Sequence, residues 1–195
     1  MKLAIIKYNG GNVQSVIFAL NRLGIEPVLT NNPDELASAD KIIFPGVGEA
    51  GSCMQSIRES RLDTLIPTLK QPVLGICVGL QLMCNYSEEG NTKGLKIFDT
   101  DVKKFNSKEL KIPQMGWNTI QTLKSPLFNG VDEKSYVYYV HSYAAELCHN
   151  TIATTDYTKP YSAALQKNNF YAVQFHTEKS SKVGGLILKN FIENC

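Results

Sequence analysis

Short apolar runs alternate with longer polar segments along the first half of the chain. Each run has the length and continuous hydrophobicity of a strand buried on both faces. The runs occupy Leu3–Ile6, residues 27–29, Lys41–Phe44 and Val73–Ile76. Apolar residues recur at helical spacing over residues 13–23, before Gly24, and again over residues 49–69, where Pro67 marks a kink or an end. This alternation predicts an α/β fold with three layers and an open, mostly parallel sheet.

The pattern changes in the second half, between about residues 95 and 165. Short strand-like runs are separated there by Gly, Pro, Asn and Asp, which predicts a β-rich, antiparallel or mixed region. The runs cover residues 102–105, 118–123, 135–140 and 152–156. Residues 163–167 and 170–175 predict a hairpin around Asn168 and Asn169, and residues 181–192 predict a helix. No repeat or linker interrupts the chain, so we expect a single domain over residues 1–195.

Composition and charge narrow the class of protein. The formal net charge is only +2, and Lys and Arg are dispersed, which gives no case for nucleic acid or an anionic membrane as a partner. The apolar run at the N-terminus is too short for a signal peptide or a spanning helix, so we expect a cytoplasmic protein. Five scattered cysteines without C-x-x-C spacing argue against a disulfide framework and against a metal site.

One of these cysteines lies at the bend between a strand and a helix. The motif GICVG at residues 75–79 ends the fourth apolar run, and helical spacing continues from Val78 to about residue 86. A G-x-C-x-G bend is the thiol counterpart of the nucleophile elbow, and a helix N-terminus favours the thiolate of Cys77. The neighbouring PGVG loop, residues 45–48, could turn backbone N–H groups towards an oxyanion formed there. The alternative is a buried core thiol, since free cysteine is often buried.

A candidate base and its orienting group follow near the end of the predicted hairpin. On an extended segment, side chains two residues apart point to the same side, so His176 and Glu178 project together while Thr177 points away. Such a pair alone also occurs by chance at solvated strand ends. Combined with Cys77, it predicts a Cys-His-Glu triad. His141 and His149 are competing bases: His149 lies in a polar loop, whereas His141 lines a site or satisfies a local hydrogen bond.

The two motifs GICVGLQ (residues 75–81) and QFHTE (residues 174–178) resemble the signature pair of the class I, or triad, glutamine amidotransferases. The resemblance spans the whole chain. Further stretches are similar, within that family, to the glutaminase subunits of imidazole glycerol phosphate synthases. They read YNGGN (8–12), PGVG (45–48), IPQMGWN (112–118), YVHSY (139–143) and EKS (178–180). Subunits that serve anthranilate synthesis usually carry histidine where this chain has Leu80, which favours the same assignment.

The resemblance implies a cofactor-free glutaminase that hydrolyses L-glutamine to glutamate and ammonia through a cysteine thioester. Cys77 would be the nucleophile and His176, held by Glu178, would handle the proton. The implied oxyanion donors are the backbone N–H of Val78 and one from the loop at Val47 and Gly48. The implied glutamine-binding residues are Gln81, Glu89, Ser142 and Tyr143, with Glu89, on an exposed turn, pairing with the α-ammonium.

The resemblance also implies a partner. A separate (βα)₈ cyclase subunit would form a heterodimer with this chain and use the ammonia to make imidazole glycerol phosphate in histidine biosynthesis. Asn12, Met115, Trp117 and Asn118 would then lie on the docking face. Ordinary loop and core packing is the alternative for Met115 and Trp117.

Three residues depart from the family pattern. Thr177 replaces the usual proline between the triad His and Glu, which predicts altered local rigidity around a working triad. The family often has histidine at the position of Gln114 and aspartate near Tyr8, and we expect both departures to lie away from the chemistry and to concern the partner surface. Two other functions remain open from the sequence: an amidotransferase subunit serving another synthase, and a non-catalytic thiol sensor of the same architecture.

Overall fold

The computed structural model describes residues 1–10 and 13–195. Its strands alternate with helices up to residue 83 and follow one another closely after residue 100. The strands are β1 (Leu3–Ile6), β2 (Val28–Thr30), β3 (Lys41–Phe44), β4 (Val73–Ile76), β5 (Tyr86–Ser87), β6 (Thr92–Lys93), β7 (Asp101–Lys104), β8 (Gln114–Thr119), β9 (Tyr136–His141), β10 (Tyr143–Ala145), β11 (Thr151–Asp156), β12 (Pro160–Lys167) and β13 (Phe170–Val173). The predicted change from an α/β to a β-rich pattern is confirmed.

The helices connect the parallel strands and close the chain. They are α1 (Gln14–Asn21), α2 (Pro33–Ala37), α3 (Ala50–Glu59), α4 (Leu62–Leu65), α5 (Val78–Met83) and α6 (Ser181–Asn194), with short 3₁₀ turns at Ile66–Thr68, Glu89–Asn91, Pro126–Phe128 and Thr177–Lys179. Asn32 caps α2 by accepting the Asp34 and Glu35 N–H groups. The Glu49 carboxylate caps α3 in the same way.

A seven-stranded sheet forms the centre, in the order β11-β12-β13-β4-β3-β1-β2. From β2 to β13 all neighbours are parallel, and β12 and β11 extend the sheet as antiparallel strands. The chain steps from β1 to β2 in one direction and from β3 to β4 in the other. Because parallel crossovers are right-handed, α1 and α3 lie on opposite faces of the sheet. The three layers and the open, mostly parallel mixed sheet are therefore as predicted.

Two smaller sheets complete the β-rich half. β8 and β9 form an antiparallel ribbon in which Trp117 lies opposite Tyr138. β10, β7, β5 and β6 form a four-stranded sheet. The central strands β1, β4 and β13 are buried along their whole length, which explains their continuous apolar runs.

Several predicted boundaries are wrong. The helix predicted over residues 49–69 is broken at Ser60 and Arg61, because Arg61 takes the left-handed conformation with φ 56°. The strand predicted over residues 118–123 is β8, which begins and ends four residues earlier. The helix that follows Cys77 ends at Met83 rather than near residue 86. The strand predicted over residues 170–175 ends at Val173, and Glu178 lies in a 3₁₀ turn, Thr177–Lys179, rather than in extended chain.

The hairpin prediction holds, with Asn168 at φ 54° in the turn. Helix α6 continues two residues beyond the predicted end. Over residues 1–10 and 13–195, no helix is both long and apolar enough to cross a membrane.

Candidate active site

Three neighbouring parallel strands deliver the predicted site residues to one edge of the sheet. β4 lies between β3 and β13, and all three run in the same direction. The PGVG loop follows β3, Cys77 follows β4 and His176 lies shortly after β13. Carboxyl ends of parallel strands meet at one edge, which brings these residues together although nearly a hundred residues separate Cys77 from His176.

The backbone at Cys77 has the conformation of a nucleophile elbow. Cys77 takes φ 54° and ψ −108°, which is strained for a residue with a side chain, and its N–H donates to the Val173 carbonyl at 2.8 Å. Gly79 is required here, since a Cβ at that position would lie 2.0 Å from the Phe44 carbonyl oxygen. The tight bend therefore packs Gly79 against the end of β3, and Cys77 is only 3% exposed.

His176 and Glu178 form a buried pair beside this thiol. Nδ1 of His176 and Oε1 of Glu178 are 2.7 Å apart, and the two side chains are 1% and 4% exposed. Nε2 of His176 is buried without a hydrogen-bond partner among residues 1–10 and 13–195, and the ring lines the same cavity as Cys77. The Ser180 hydroxyl donates to the His176 carbonyl at 2.6 Å and fixes the segment. The 3₁₀ turn thus gives the pairing that an extended segment was expected to give.

The environment of His176 favours its charged form. Burial lowers the pKa of this imidazole, but the neighbouring Cys77 thiol and the Glu178 carboxylate outweigh burial and raise the pKa to about 10. An imidazolium beside a thiol is the charge state that stabilises a thiolate.

His141 has the opposite environment and is a poor candidate base. Its Nδ1 donates to the Tyr143 carbonyl at 2.8 Å, and its Nε2 lies 3.3 Å from the Tyr161 hydroxyl. Burial lowers the pKa of His141 to about 4, so the ring is neutral. His141 does line the site, as one of its two predicted roles required.

The residues that carry the predicted oxyanion donors line the cavity, but two of these N–H groups already have acceptors. The Val78 N–H donates to the Gly46 carbonyl at 3.3 Å, and the Val47 N–H donates to the Gly10 carbonyl at 2.8 Å. Val47, Gly48 and Val78 all line the cavity beside Cys77. An oxyanion can bind the Val78 N–H only when the Gly46 carbonyl moves away from it.

Tyr8 was expected to lie away from the chemistry, and this expectation is wrong. Its hydroxyl donates to the Pro45 carbonyl at 2.6 Å and leaves no room for a Cβ on Gly46. Burial, followed by the Cys53 and Cys77 thiols, raises the pKa of Tyr8 well above its usual value, so the hydroxyl stays protonated. Tyr8 therefore supports the loop that carries the predicted oxyanion donors.

The predicted glutamine-binding residues line the same cavity, whose volume is about 190 Å³. These are Gln81, Glu89, Ser142 and Tyr143. Glu89 was expected on an exposed turn but is half-buried, and it accepts the Ala50 N–H at 2.9 Å. Burial raises the pKa of Glu89, so a cation in the cavity would favour its ionised form.

The match to a family model settles which family has this arrangement. The model of the class-I glutamine amidotransferases matches residues 4–195. The chain belongs to this family. The triad geometry, the elbow and the cavity are thus features of a class I glutamine amidotransferase.

Relatives within this amidotransferase family share nearly the whole chain. The imidazole glycerol phosphate synthase subunit HisH of Bacteroides fragilis is 57% identical over 195 residues, covering 99% of this chain and 100% of the relative. The protein of the same name from Pasteurella multocida is 46% identical over 193 residues and covers 98% of each chain.

Solved structures support the fold of this amidotransferase. A crystal structure of a glutamine amidotransferase matches with a TM-score of 0.76 at 14% identity, covering 99% of this chain and 98% of that one. A glutamine amidotransferase from Thermotoga maritima matches with a TM-score of 0.66 at 16% identity, covering 99% and 81%. At such low identity these matches show the fold alone.

The residues expected on a docking face lie on the β8–β9 ribbon of the amidotransferase, apart from Asn12, which is outside the described residues. Met115 is 66% exposed and Trp117 is 52% exposed, so neither is a core residue. Asn118 donates to the Asp156 carbonyl at 2.9 Å. Trp117 packs edge to face on Tyr138, whose carbonyl accepts the His176 N–H at 2.9 Å. The exposed ribbon is therefore joined directly to the triad.

Two buried residues of this amidotransferase site have contacts that the sequence interpretation did not foresee. Gln114 was expected away from the chemistry, but it accepts the Tyr161 hydroxyl at 3.0 Å, and that hydroxyl also contacts His141. Gln174 donates through Nε2 to the Cys77 sulfur at 3.7 Å. The signal for Gln174 was its place in the QFHTE motif, where a polar side chain interrupts an apolar strand end.

Proposed function

We propose that this chain is the glutaminase subunit of an imidazole glycerol phosphate synthase. It hydrolyses L-glutamine to glutamate and ammonia, and a separate cyclase subunit uses the ammonia to make imidazole glycerol phosphate in histidine biosynthesis. The observation that carries the proposal is the buried Glu178–His176 pair, at 2.7 Å, in one cavity with the thiol of Cys77. The names of the full-length relatives support the choice of synthase.

The proposed reaction begins with the thiolate of Cys77. It attacks the side-chain amide carbon of glutamine, and the carbonyl oxygen becomes an oxyanion. The imidazolium of His176, held by Glu178, gives its proton to the nitrogen as the carbon–nitrogen bond breaks, so ammonia leaves and a glutamyl thioester remains. His176 then takes a proton from water, whose oxygen attacks the thioester and releases glutamate and the thiolate.

The oxyanion is proposed to bind the Val78 N–H together with an N–H of Val47 or Gly48. In the arrangement described above, the Gly46 carbonyl occupies the Val78 donor at 3.3 Å. One missing oxyanion donor costs about a hundredfold or more in rate. Displacement of the Gly46 carbonyl is therefore a requirement of the proposed mechanism.

Binding of glutamine is proposed to use the half-buried carboxylate of Glu89 for the α-ammonium. Gln81, Ser142 and Tyr143 line the same cavity and are proposed to bind the rest of the molecule. Burial raises the pKa of Glu89, and an ammonium group beside this carboxylate would favour its ionised form.

The cyclase is proposed to dock on the β8–β9 ribbon, where Met115 and Trp117 are exposed. Large apolar side chains exposed on one face are typical of a protein interface. Docking there would place the partner next to Tyr138, whose carbonyl holds the His176 N–H. Ammonia released at Cys77 would then have a short route to the partner.

Replacement of the nucleophile tests the proposal. With the cyclase partner present, Cys77→Ala is expected to abolish glutamine-dependent formation of imidazole glycerol phosphate and to leave turnover with free ammonium unchanged. Cys148→Ala is the matched control, since Cys148 lies outside the cavity, and it is expected to keep both activities. Glutamine-dependent turnover by Cys77→Ala would overturn the assignment of the nucleophile.

The choice of synthase is tested separately. Purified cyclase is expected to stimulate glutamine hydrolysis by this chain. An active glutaminase that the cyclase does not stimulate would instead indicate a different synthase. An inactive chain whose Cys77 is not protected by glutamine from a glutamine-analogue electrophile would favour a thiol sensor.

A further inference from the structure

The amide of Gln174 contacts the sulfur of Cys77. Gln174 is fully buried, and its Nε2 lies 3.7 Å from Sγ. Its main chain is fixed at the same place, because the Gln174 N–H donates to the Ala163 carbonyl at 2.8 Å, and the preceding carbonyl accepts the Cys77 N–H. The side chain therefore approaches the nucleophile from a rigid strand end.

The orientation of this amide follows from a chain of hydrogen bonds. A carbonyl oxygen only accepts, so the Tyr143 carbonyl requires that the N–H₂ end of Gln81 face it, at 3.0 Å. The second N–H of Gln81 then donates to Oε1 of Gln174 at 3.2 Å. With its oxygen facing Gln81, Gln174 turns its N–H₂ end towards Cys77. His141 strengthens the arrangement by donating to the same Tyr143 carbonyl.

A buried thiolate needs donors that replace water. The Cys77 side chain is almost completely buried, and the N–H of the next residue, Val78, is held by the Gly46 carbonyl. An N–H pointed at sulfur lowers the cost of the negative charge and fixes the direction from which the sulfur attacks. The reversed amide would present a carbonyl oxygen to the sulfur and would repel the charge.

We propose that Gln174 is a further catalytic residue, whose side-chain N–H binds the Cys77 sulfur and favours its thiolate. Gln81 and the Tyr143 carbonyl are positioning groups, which fix the direction of the Gln174 amide. This inference rests on the proposed function, in which Cys77 is the nucleophile. It gives Gln81 a second role besides lining the glutamine-binding cavity.

The test measures the reactivity of Cys77 without any substrate. The full chain is alkylated with iodoacetamide between pH 5 and pH 9, and modification at Cys77 is followed by peptide mass spectrometry. Gln174→Met keeps the size of the side chain but removes the donor, and we expect alkylation below pH 8 to slow about tenfold, the effect of one hydrogen bond to a charged group. The pH profile is expected to move to higher pH. Gln174→Glu, which places an acceptor at the sulfur, is expected to slow the reaction further.

Two controls separate this effect from loss of structure. Gln166→Glu makes the same glutamine-to-glutamate change on the adjacent strand β12, away from the cavity. In this variant, iodoacetamide is expected to modify Cys77 at the original rate. Cys84 is completely buried in α5's C-terminal cap and reports unfolding, since it reacts only when the chain opens. Folded variants at position 174 that react within twofold of the original rate would overturn the proposal.

A double-mutant cycle tests the positioning by Gln81. Gln81→Met leaves Gln174 in place but frees its amide to turn, so we expect alkylation to slow severalfold, and no further loss when Gln81→Met is added to Gln174→Met. Additive effects would overturn the positioning role.

The two proposals can fail separately. If Cys77→Ala retains glutaminase activity, the proposed function is wrong. If Cys77→Ala is inactive but the variants at Gln174 and Gln81 leave the rate of Cys77 alkylation unchanged, only this inference is wrong.

Discussion

Two buried histidines of the active site are held in opposite charge states by their neighbours. His176 lies beside the Cys77 thiol and the Glu178 carboxylate, which raise its pKa to about 10 against the effect of burial. His141 has only neutral hydrogen-bond partners, so burial dominates and lowers its pKa to about 4. His176 is thus charged at neutral pH, whereas His141 is neutral and donates to the Tyr143 carbonyl.

Removal of the Glu178 charge is expected to reduce the difference in pKa between His176 and His141. In Glu178→Gln, the pKa of His176 should fall from about 10, because burial then acts with less opposition. Glutamine hydrolysis should drop by about a hundredfold or more, since the imidazole loses the carboxylate that orients it and stabilises its charged form.

Nitrogen NMR of the imidazole rings follows the titration directly, and activity is measured with the cyclase present. Gln166→Glu serves again as the remote control. An unchanged titration of His176 in Glu178→Gln would show that the carboxylate does not set the charge of the ring.

At the scale of elements, the predicted triad depends on a single 3₁₀ turn, Thr177–Lys179, which lies between β13 and α6 in the chain. Thr177 begins the turn, and its hydroxyl is buried without a hydrogen-bond partner among the described residues. His176 just before it is extended, at φ −86° and ψ 101°, which is a conformation that a following proline accepts. The residue before Thr177 is thus in the extended region that a residue before proline prefers.

We therefore expect Thr177→Pro to stabilise the protein by about 0.5 to 1 kcal/mol, because it restricts the unfolded chain and removes an unpaired hydroxyl. Urea unfolding measures the change. Thr177→Val, which removes only the hydroxyl, separates the two contributions and should give a smaller gain. Destabilisation by proline would show that the turn at residue 177 differs from the conformation that proline requires.

The elements also show what a sequence can and cannot predict here. β1, β3 and β4 were predicted to the residue, because strands buried on both faces are continuous apolar runs bounded by polar turns. β8 was misplaced, because it belongs to a two-stranded ribbon in which Met115 and Trp117 are exposed and the apolar pattern does not follow burial. Its limits depend on pairing with β9, which local patterns do not encode.

The juxtaposition of the candidate catalytic residues was predictable where motifs and strand order fix it, whereas the tertiary contacts around them were not. Cys77, His176 and Glu178 stand in two short motifs, and the strand order brings them together. The contacts of Gln174 and Tyr8 cross from one element to another, so neither spacing nor periodicity revealed them. The left-handed conformation of Arg61 is confined to one residue inside a helical pattern, so the spacing of apolar residues did not reveal it either.

At the scale of the whole molecule, the two histidines give stability a defined dependence on pH. A histidine in the unfolded chain titrates with a pKa of about 6.5. The lowered pKa of His141 means that the unfolded chain binds more protons between pH 6.5 and about 4, so stability falls as the solution is acidified. The raised pKa of His176 means that the folded chain binds more protons above pH 6.5, so its contribution is lost as pH rises towards about 10.

We expect each limb of this pH dependence to be removed by its own substitution. Between pH 6.5 and pH 4, the original chain should lose about 2 to 3 kcal/mol of unfolding free energy more than His141→Gln does, from the difference between the two pKa values of His141. Above pH 6.5, His176→Asn should lose less stability than the original chain. Urea titrations at half-unit pH steps give both difference curves, in which titrations common to all variants cancel. His141 is expected to affect the unfolding free energy only below pH 6.5, and His176 only above it. A His141 variant that changed the pH dependence of stability above pH 6.5 instead would contradict the assignment of a neutral His141 and a charged His176.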